Sequence, residues 1–263
     1  MSISACNKNK KKESVEVTRF SAETLYKKSK KFMDLGIWDT AILHYKNLRN
    51  QYPFGRFAEQ GSLELAYSYY RSYDMELAIS TLERFMKNYP AHEHLDYAYF
   101  LKGLIYFESE RGMMERVHPS EARDRNQENA KQSFVSFKTF IEKFPKSEYA
   151  ADAEQRMVYL RNQLAAYELQ VAKYYLRRKA YIGAINRCKY IIESFQKTDS
   201  VGDALAVMSE SYKQIGRIEL AQSSRLVLST NFPRHSYLND EKIDLDTKLF
   251  SFMDLWIFSK KEK

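Results

Sequence analysis

One mark recurs along this 263-residue chain and limits its folds more than anything else in it. A small residue is followed twelve positions later by a proline with an aromatic just before it. Ala41 leads to Tyr52-Pro53, Ala78 to Tyr89-Pro90, Ser133 to Phe144-Pro145 and Ala221 to Phe232-Pro233. Ala184 leads to Phe195-Gln196, where the proline is lost and the aromatic stays. The small residue lets two helices approach closely. The proline cannot continue a helix and disfavours helical geometry in the residue before it. Short breaks lie upstream at Gly36 and Gly216, and glycine accepts the left-handed conformation of a helix C-terminus. The unit reads as helix, tight turn, helix, stop.

The steps are 37 residues from Pro53 to Pro90, 55 from Pro90 to Pro145, 51 from Pro145 to Gln196 and 37 from Gln196 to Pro233. Two are close to the 34-residue tetratricopeptide period. The predicted fold is therefore an all-α tetratricopeptide-repeat superhelix of about five helix pairs, with the first helix of each pair lining a concave face. Two steps are long. Residues 111–126, rich in alternating charge and holding Pro119, read as an inserted loop. From Ala153 the apolar residues Met157, Leu160, Leu164, Tyr167, Val171 and Tyr174 step by 4 and 3, which predicts one long amphipathic helix. Eight glycines and five prolines are too few for the turns of a sheet protein, and the 20 Tyr and 16 Phe suit helix packing.

Several functions are disfavoured. There is no glycine-rich phosphate loop and no nucleophile elbow. Glu108 and Glu110, two apart, lie on different sides of a helix, so the chain does not read as an enzyme. His92 and His94 lack further Cys or His nearby, so neither a metal nor a cofactor is expected. The net charge of +8 suits an anionic surface or an acidic partner as well as nucleic acid. The Lys27, Lys28, Lys30, Lys31 cluster is interrupted by Glu23 and Asp34, and nucleic acid is not an expected partner. No run of about 18 apolar residues reads as a membrane span.

Four segments are expected: 1–20 a signal remnant and flexible tether, 21–145 repeats one to three, 146–235 repeats four and five, and 236–263 a C-terminal extension. Ile3-Ser4-Ala5-Cys6 resembles the end of a bacterial lipoprotein signal, where small residues precede the cysteine that receives lipid. Only five residues precede Cys6, fewer than the charged start and apolar stretch of a signal peptide require. Leu249 to Phe258 is strongly apolar and is followed by lysines. It reads as a last helix covering the open end of the array, with membrane-interface docking or partner binding as alternatives.

Leu35-Gly36-Ile37-Trp38, Asn50 through Gly55, Ala66 through Tyr70, Asp96 through Leu104, Phe144 through Ala150 and Tyr167 through Tyr175 with Ala184-Ile185-Asn186-Arg187 resemble the BamD family of β-barrel assembly lipoproteins over roughly residues 21–233. The Tyr-Pro-Phe-Gly run and the long fourth helix separate it from a generic repeat. The resemblance implies a lipid anchor on Cys6 at the periplasmic face of the outer membrane. It implies binding to the periplasmic domains of BamA, to other assembly lipoproteins and to unfolded outer membrane proteins through their aromatic-ended C-terminal strand. It also places a partner-contacting arginine at Arg187, beside the packing stripe of Ala184, Cys188 and Ile191 and within reach of Glu193. Positions of the concave groove fall on Tyr26 and Lys30 in repeat one and on Tyr67, Tyr70 and Arg71 in repeat two. In repeat three, counted from Gly103, they fall on Tyr97, Phe100 and Phe107. Aromatics with a few cations suit a peptide ending in an aromatic residue and a carboxylate. A generic adaptor unrelated to barrel assembly is the rival reading.

Overall fold

The structure, a computed structural model, describes residues 20–114, 119–240 and 243. Cys6, the tether and the apolar segment 249–258 lie outside the described residues. All regular elements among the described residues are helices: α1 (Ala22–Asp34), α2 (Trp38–Gln51), α3 (Arg56–Arg71), α4 (Met75–Asn88), α5 (Leu95–Met114), α6 (Pro119–Lys143), α7 (Ala150–Arg177), α8 (Tyr181–Ser194), α9 (Ser200–Gln214), α10 (Ile218–Asn231) and the single turn α11 (Tyr237–Asp240). They form the expected all-α, tetratricopeptide-type succession of five helix pairs. None of them is long and apolar enough to cross a membrane.

Every second helix ends on the residue before the marked aromatic. The aromatic amide then donates to the carbonyl four back: Tyr52 to Leu48 at 2.8 Å, Tyr89 to Phe85 at 2.9 Å, Phe144 to Phe140 at 2.8 Å, Phe195 to Ile191 at 2.8 Å and Phe232 to Leu228 at 2.7 Å. Phe195 stops α8 with φ −129°, close to the −133° of Tyr52, although Gln196 follows it. The proline reinforces a stop that the aromatic's packing already makes. The small residues sit where helices touch. Ala41, Ala78, Ser133 and Ala184 are fully buried. The Ser133 hydroxyl donates to the Gly103 carbonyl across α5 and α6 at 3.0 Å, and the Ser209 hydroxyl donates to the Ala221 carbonyl across α9 and α10 at 2.9 Å.

The turns inside four pairs share one geometry. Gly36, Tyr73, Lys179 and Gly216 have φ of 71°, 64°, 58° and 75°. The next residue's amide reaches back five positions in each: Ile37 to Phe32, Asp74 to Tyr69, Ala180 to Tyr175 and Arg217 to Tyr212, all at 2.9 Å. These are Schellman caps. Only the two glycines were visible as breaks in the sequence.

Two expectations need correction. Residues 111–114 and 119–126, expected as a loop, are helical: α5 runs to Met114 and α6 starts at Pro119. Proline is well placed at a first helical position, where its missing N–H has no intrahelical partner to lose. The expected seam of α7 also drifts. Leu160 and Leu164 are buried, but the buried side then runs through Ala165, Glu168, Leu169, Ala172 and Lys173, leaving Tyr174 half-exposed. A strict 3.5-residue pattern rotates about 20° per heptad on a 3.6-residue helix, and α7 packs successively on α6, α8 and α9. The compact units divide between Ala98 and Tyr99, within the segment read as repeats one to three. Most of pair three belongs with the C-terminal unit because Phe100 on α5 stacks on Tyr149, just before α7, at 4.9 Å.

Candidate functional site

Unit 1, up to Ala98, is organised around a buried carboxylate. Glu64 on α3 accepts from Tyr45 of α2 at 2.5 Å through Oε2. Its Oε1 accepts from Tyr26 of α1 at 2.9 Å and from Gln60 at 3.1 Å. Lys30 Nζ stands 3.7 Å from the same Oε1 and 3.3 Å from Asp34. One acid thus ties three helices. Burial, then the Glu64 charge, raises the hydroxyl pKa of both Tyr26 and Tyr45 above the ordinary tyrosine range. Tyr26 and Lys30 therefore point their polar atoms at Glu64. Their half-exposed flanks border a shallow cavity of about 350 Å³ with Lys31, Asp34 and Leu35.

Beside this node lies an aromatic–cation cluster. The Arg71 guanidinium stands 5.0 Å from the Trp38 ring and 5.9 Å from the Tyr67 ring, and donates to the Tyr67 hydroxyl at 3.0 Å. Trp38 meets Tyr67 edge-on at 6.0 Å. Arg71 is exposed, and Trp38 and Tyr67 are half-exposed. Tyr70 is a buried ring backing Tyr67 at 6.1 Å. Tyr97 is half-exposed at the start of α5, its amide donating to the Asp96 carboxylate at 2.7 Å.

Three expected groove residues are core: Tyr70 in unit 1, and Phe100 and Phe107 in unit 2. Phe100 packs on Phe137 and Phe140 at 5.8 Å, and Phe107 on Tyr159 at 5.7 Å; both are buried in unit 2. Their register was counted from Gly103. A Cβ on that glycine would lie 2.6 Å from the Phe137 ring, so Gly103 faces α6 at closest approach. Phe100 and Phe107, three before it and four after, share that packed face.

Unit 2 holds a second buried carboxylate. Glu168 on α7 accepts from Arg187 Nη1 of α8 at 2.8 Å, with side-chain exposures of 6% and 43% respectively. That bond, more than the contact with Tyr175, raises the guanidinium pKa above its usual value. Arg187 does lie beside the buried stripe of Ala184, Cys188 and Ile191, but its partner is Glu168 on the preceding helix rather than Glu193. Further along, Lys173 Nζ reaches Asp203 at 3.1 Å, and His235 Nε2 meets the other Asp203 oxygen at 3.0 Å. This closes α7 and α9 against the segment after Pro233.

Sequence reasoning also missed a cavity of about 490 Å³ beneath Pro53-Phe54. Arg49 of α2 and Arg84 of α4 line it, with no carboxylate partner among the described residues. It was overlooked because groove counting considers first helices alone.

Residues 19–227 match the outer membrane lipoprotein family YfiO. The chain is 34% identical over 240 residues to a Neisseria gonorrhoeae protein named outer membrane protein assembly factor BamD, covering 90% of each. It is 35% identical to the Xylella fastidiosa (Temecula1) protein of the same name, covering 91% of this chain and 81% of that one. The Vibrio cholerae protein so named is 35% identical over 207 residues, covering 79% and 86%. The matched span runs from α1 into α10 and holds both buried glutamates, and the chain belongs to this outer membrane lipoprotein family, that of the BamD assembly factors.

Proposed function

We propose that this protein is a non-catalytic component of outer membrane β-barrel assembly. It receives unfolded outer membrane proteins and docks onto the periplasmic domains of BamA, alongside other assembly lipoproteins. Lipid on Cys6 holds it to the periplasmic face of the outer membrane. The relatives' shared name, outer membrane protein assembly factor, supports the process. The family's description as a lipoprotein supports the anchor.

The observation that carries client binding is the Trp38–Tyr67–Arg71 cluster. Arg71 is held over two rings yet remains exposed, so it can grip a peptide carboxylate while the rings accept an aromatic side chain. Tyr26, Lys30 and Tyr97 extend this surface. Arg187 serves BamA docking: its exposed flank can take a second carboxylate while Glu168 fixes its position.

A photo-crosslinker replacing Tyr67 or Arg71 should capture a barrel's C-terminal peptide, and a scrambled peptide much less. Equal capture of both removes the claim of specificity. Expressed behind a complete signal peptide, the Cys6→Ser form should leave the membrane fraction. Retention without partners would refute the anchor.

A further inference from the structure

The outward face of α10 is built differently from other exposed helix faces of the molecule. A terminal repeat ordinarily presents a polar outer face. At the other end of the chain α1 does so, with Glu23, Lys27, Lys28 and Lys31 exposed. On α10, Leu220, Leu226 and Val227 are 47%, 66% and 46% exposed. At 100° per residue they share one arc with Ser223 and Thr230. Even these hydroxyls are turned inward. Ser223 donates to the Glu219 carbonyl at 2.8 Å, and Thr230 donates to the Leu226 carbonyl at 2.9 Å. Ser229 beside them does the same at 2.9 Å. The helix carries two charged side chains: Glu219, exposed, falls on the same arc at its N-terminal end, and Arg225 lies off it. Arg225 is turned to the following segment, donating to the Leu238 carbonyl at 2.9 Å with its guanidinium 5.8 Å from the Tyr237 ring.

The same bonds place the start of a covering segment. Tyr237 is buried and its hydroxyl donates to Glu210 at 3.1 Å, so α11 is fixed against α9 and α10. Leu249 follows Asp240 by nine residues, enough to span about 30 Å of extended chain. The 14 residues of α10 are only about 21 Å long. Residues 249–258 read Leu-Phe-Ser-Phe-Met-Asp-Leu-Trp-Ile-Phe, and their polar members Ser251 and Asp254 are three apart, a spacing that puts both on one side of a helix.

We propose that residues 249–258 of this same chain dock across Leu220, Leu226 and Val227 and cover the C-terminal end of the array. Among the surfaces available to so apolar a segment, α10 is the one its tether is anchored beside, at an effective concentration of the millimolar order. The inference stands apart from the client and BamA assignments and survives their failure.

The test is site-directed crosslinking in the full chain carrying Cys6→Ser. Cys188 is fully buried and its thiol pKa is pushed up to about 12 by burial, so it leaves maleimides alone. Val227→Cys with Met253→Cys, treated with a short bismaleimide at submicromolar protein, should give a crosslink within one chain. Gln222→Cys with Met253→Cys is the control, because Gln222 is exposed on α10 but lies off the arc. The Val227 pair should react about tenfold faster than the control; the tether raises the effective concentration equally for both pairs, so the difference reads docking on the arc. Adding Phe252→Asp and Trp256→Asp should remove that preference without altering the helix content of the repeats. Equal rates at the two positions would overturn the proposal. So would crosslinks only between chains, which indicate a second copy. Crosslinks absent in solution, with Leu226 protected only by anionic vesicles, would point to a lipid surface and equally overturn it.

Discussion

The two buried glutamates solve one problem in opposite ways. In unit 1, Glu64 takes its closest hydrogen bonds from neutral donors on three helices, and the one nearby cation, Lys30, stands off at 3.7 Å. In unit 2, Glu168 takes a close bond from a cation, Arg187, that is itself half-exposed. The first arrangement turns all its donors inward and serves cohesion. The second leaves part of a strong donor at the surface, where it can serve a partner as well. A buried acid with inward donors serves cohesion alone, and one held by a half-exposed arginine leaves that arginine's flank at the surface.

The largest effect should come from breaking the inward node. Tyr45→Phe removes the donor to Glu64 Oε2 and leaves a buried carboxylate oxygen without it, which should cost about 3 kcal/mol. Amide exchange should rise throughout α1 to α3 and stay unchanged in α7 to α9. Glu64→Gln on the Tyr45→Phe background should recover part of the loss, since a neutral amide is cheaper to leave short of a donor. Uniform loosening of both units would show that the node is not local.

Next is Arg187→Ala. The sequence placed Arg187 beside the packing stripe as a partner-contacting residue; the bond to Glu168 gives it a structural role as well. Removal should now cost about 1 kcal/mol of stability, discounted because water reaches the half-exposed site. A further effect of about 2 kcal/mol on BamA affinity, roughly thirtyfold, is expected if the residue is a hot spot. Arg187→Met with Glu168→Leu separates the two, because replacing an ion pair by apolar groups is often neutral for folding. Restored melting with BamA affinity still lost supports docking. Restored melting together with restored affinity assigns Arg187 to structure alone.

How much of this was legible beforehand follows from distance along the chain. The stop after each second helix was readable because the small residue, aromatic and proline act within a dozen positions. Glu64 was not, because Tyr45 and Tyr26 lie 19 and 38 residues away and a carboxylate on a helix reads as a solvated face. The BamD-type resemblance identified the family correctly, yet Phe100 and Phe107 were misplaced because Gly103 was used as a register mark when its role is close packing on Phe137. The helical stretch 119–126 was hidden by its alternating charges, which suit a solvated helix as well as a loop.

The Glu64 node also has a pH signature. Tyr45 is fully buried and its pKa is raised by burial and by Glu64. Unfolding releases it to ordinary titration near 10.0. A folded pKa above the unfolded one gives stability that is complete below pH 10 and is lost as pH rises beyond it. At pH 11 the unfolded state gains about 1.4 kcal/mol from ionising this one group. Tyrosinate absorbance should show Tyr45 silent at pH 11 while exposed tyrosines titrate. Ionisation of every tyrosine in a still-folded protein would remove the node from the account.

The smallest effect tests whether the two units share their turn geometry as closely as their caps suggest. Tyr73 in unit 1 and Lys179 in unit 2 hold φ of 64° and 58°, where Gly36 and Gly216 serve the equivalent turns. A residue with a Cβ in this region costs about 1 kcal/mol or more. Glycine relieves that strain but adds freedom to the unfolded chain, which offsets about 0.4–1 kcal/mol. For a strain at the lower figure of about 1 kcal/mol, Tyr73→Gly and Lys179→Gly should each stabilise by about 0 to 0.6 kcal/mol, the difference of those two terms. Tyr73 is largely exposed, so little packing is lost with its ring. Chemical denaturation resolves such a shift as a small rise in midpoint at constant slope. Destabilisation by Lys179→Gly alone would mean that the lysine side chain holds the α7–α8 turn, and the two units would then differ in their turns as they do in their buried acids.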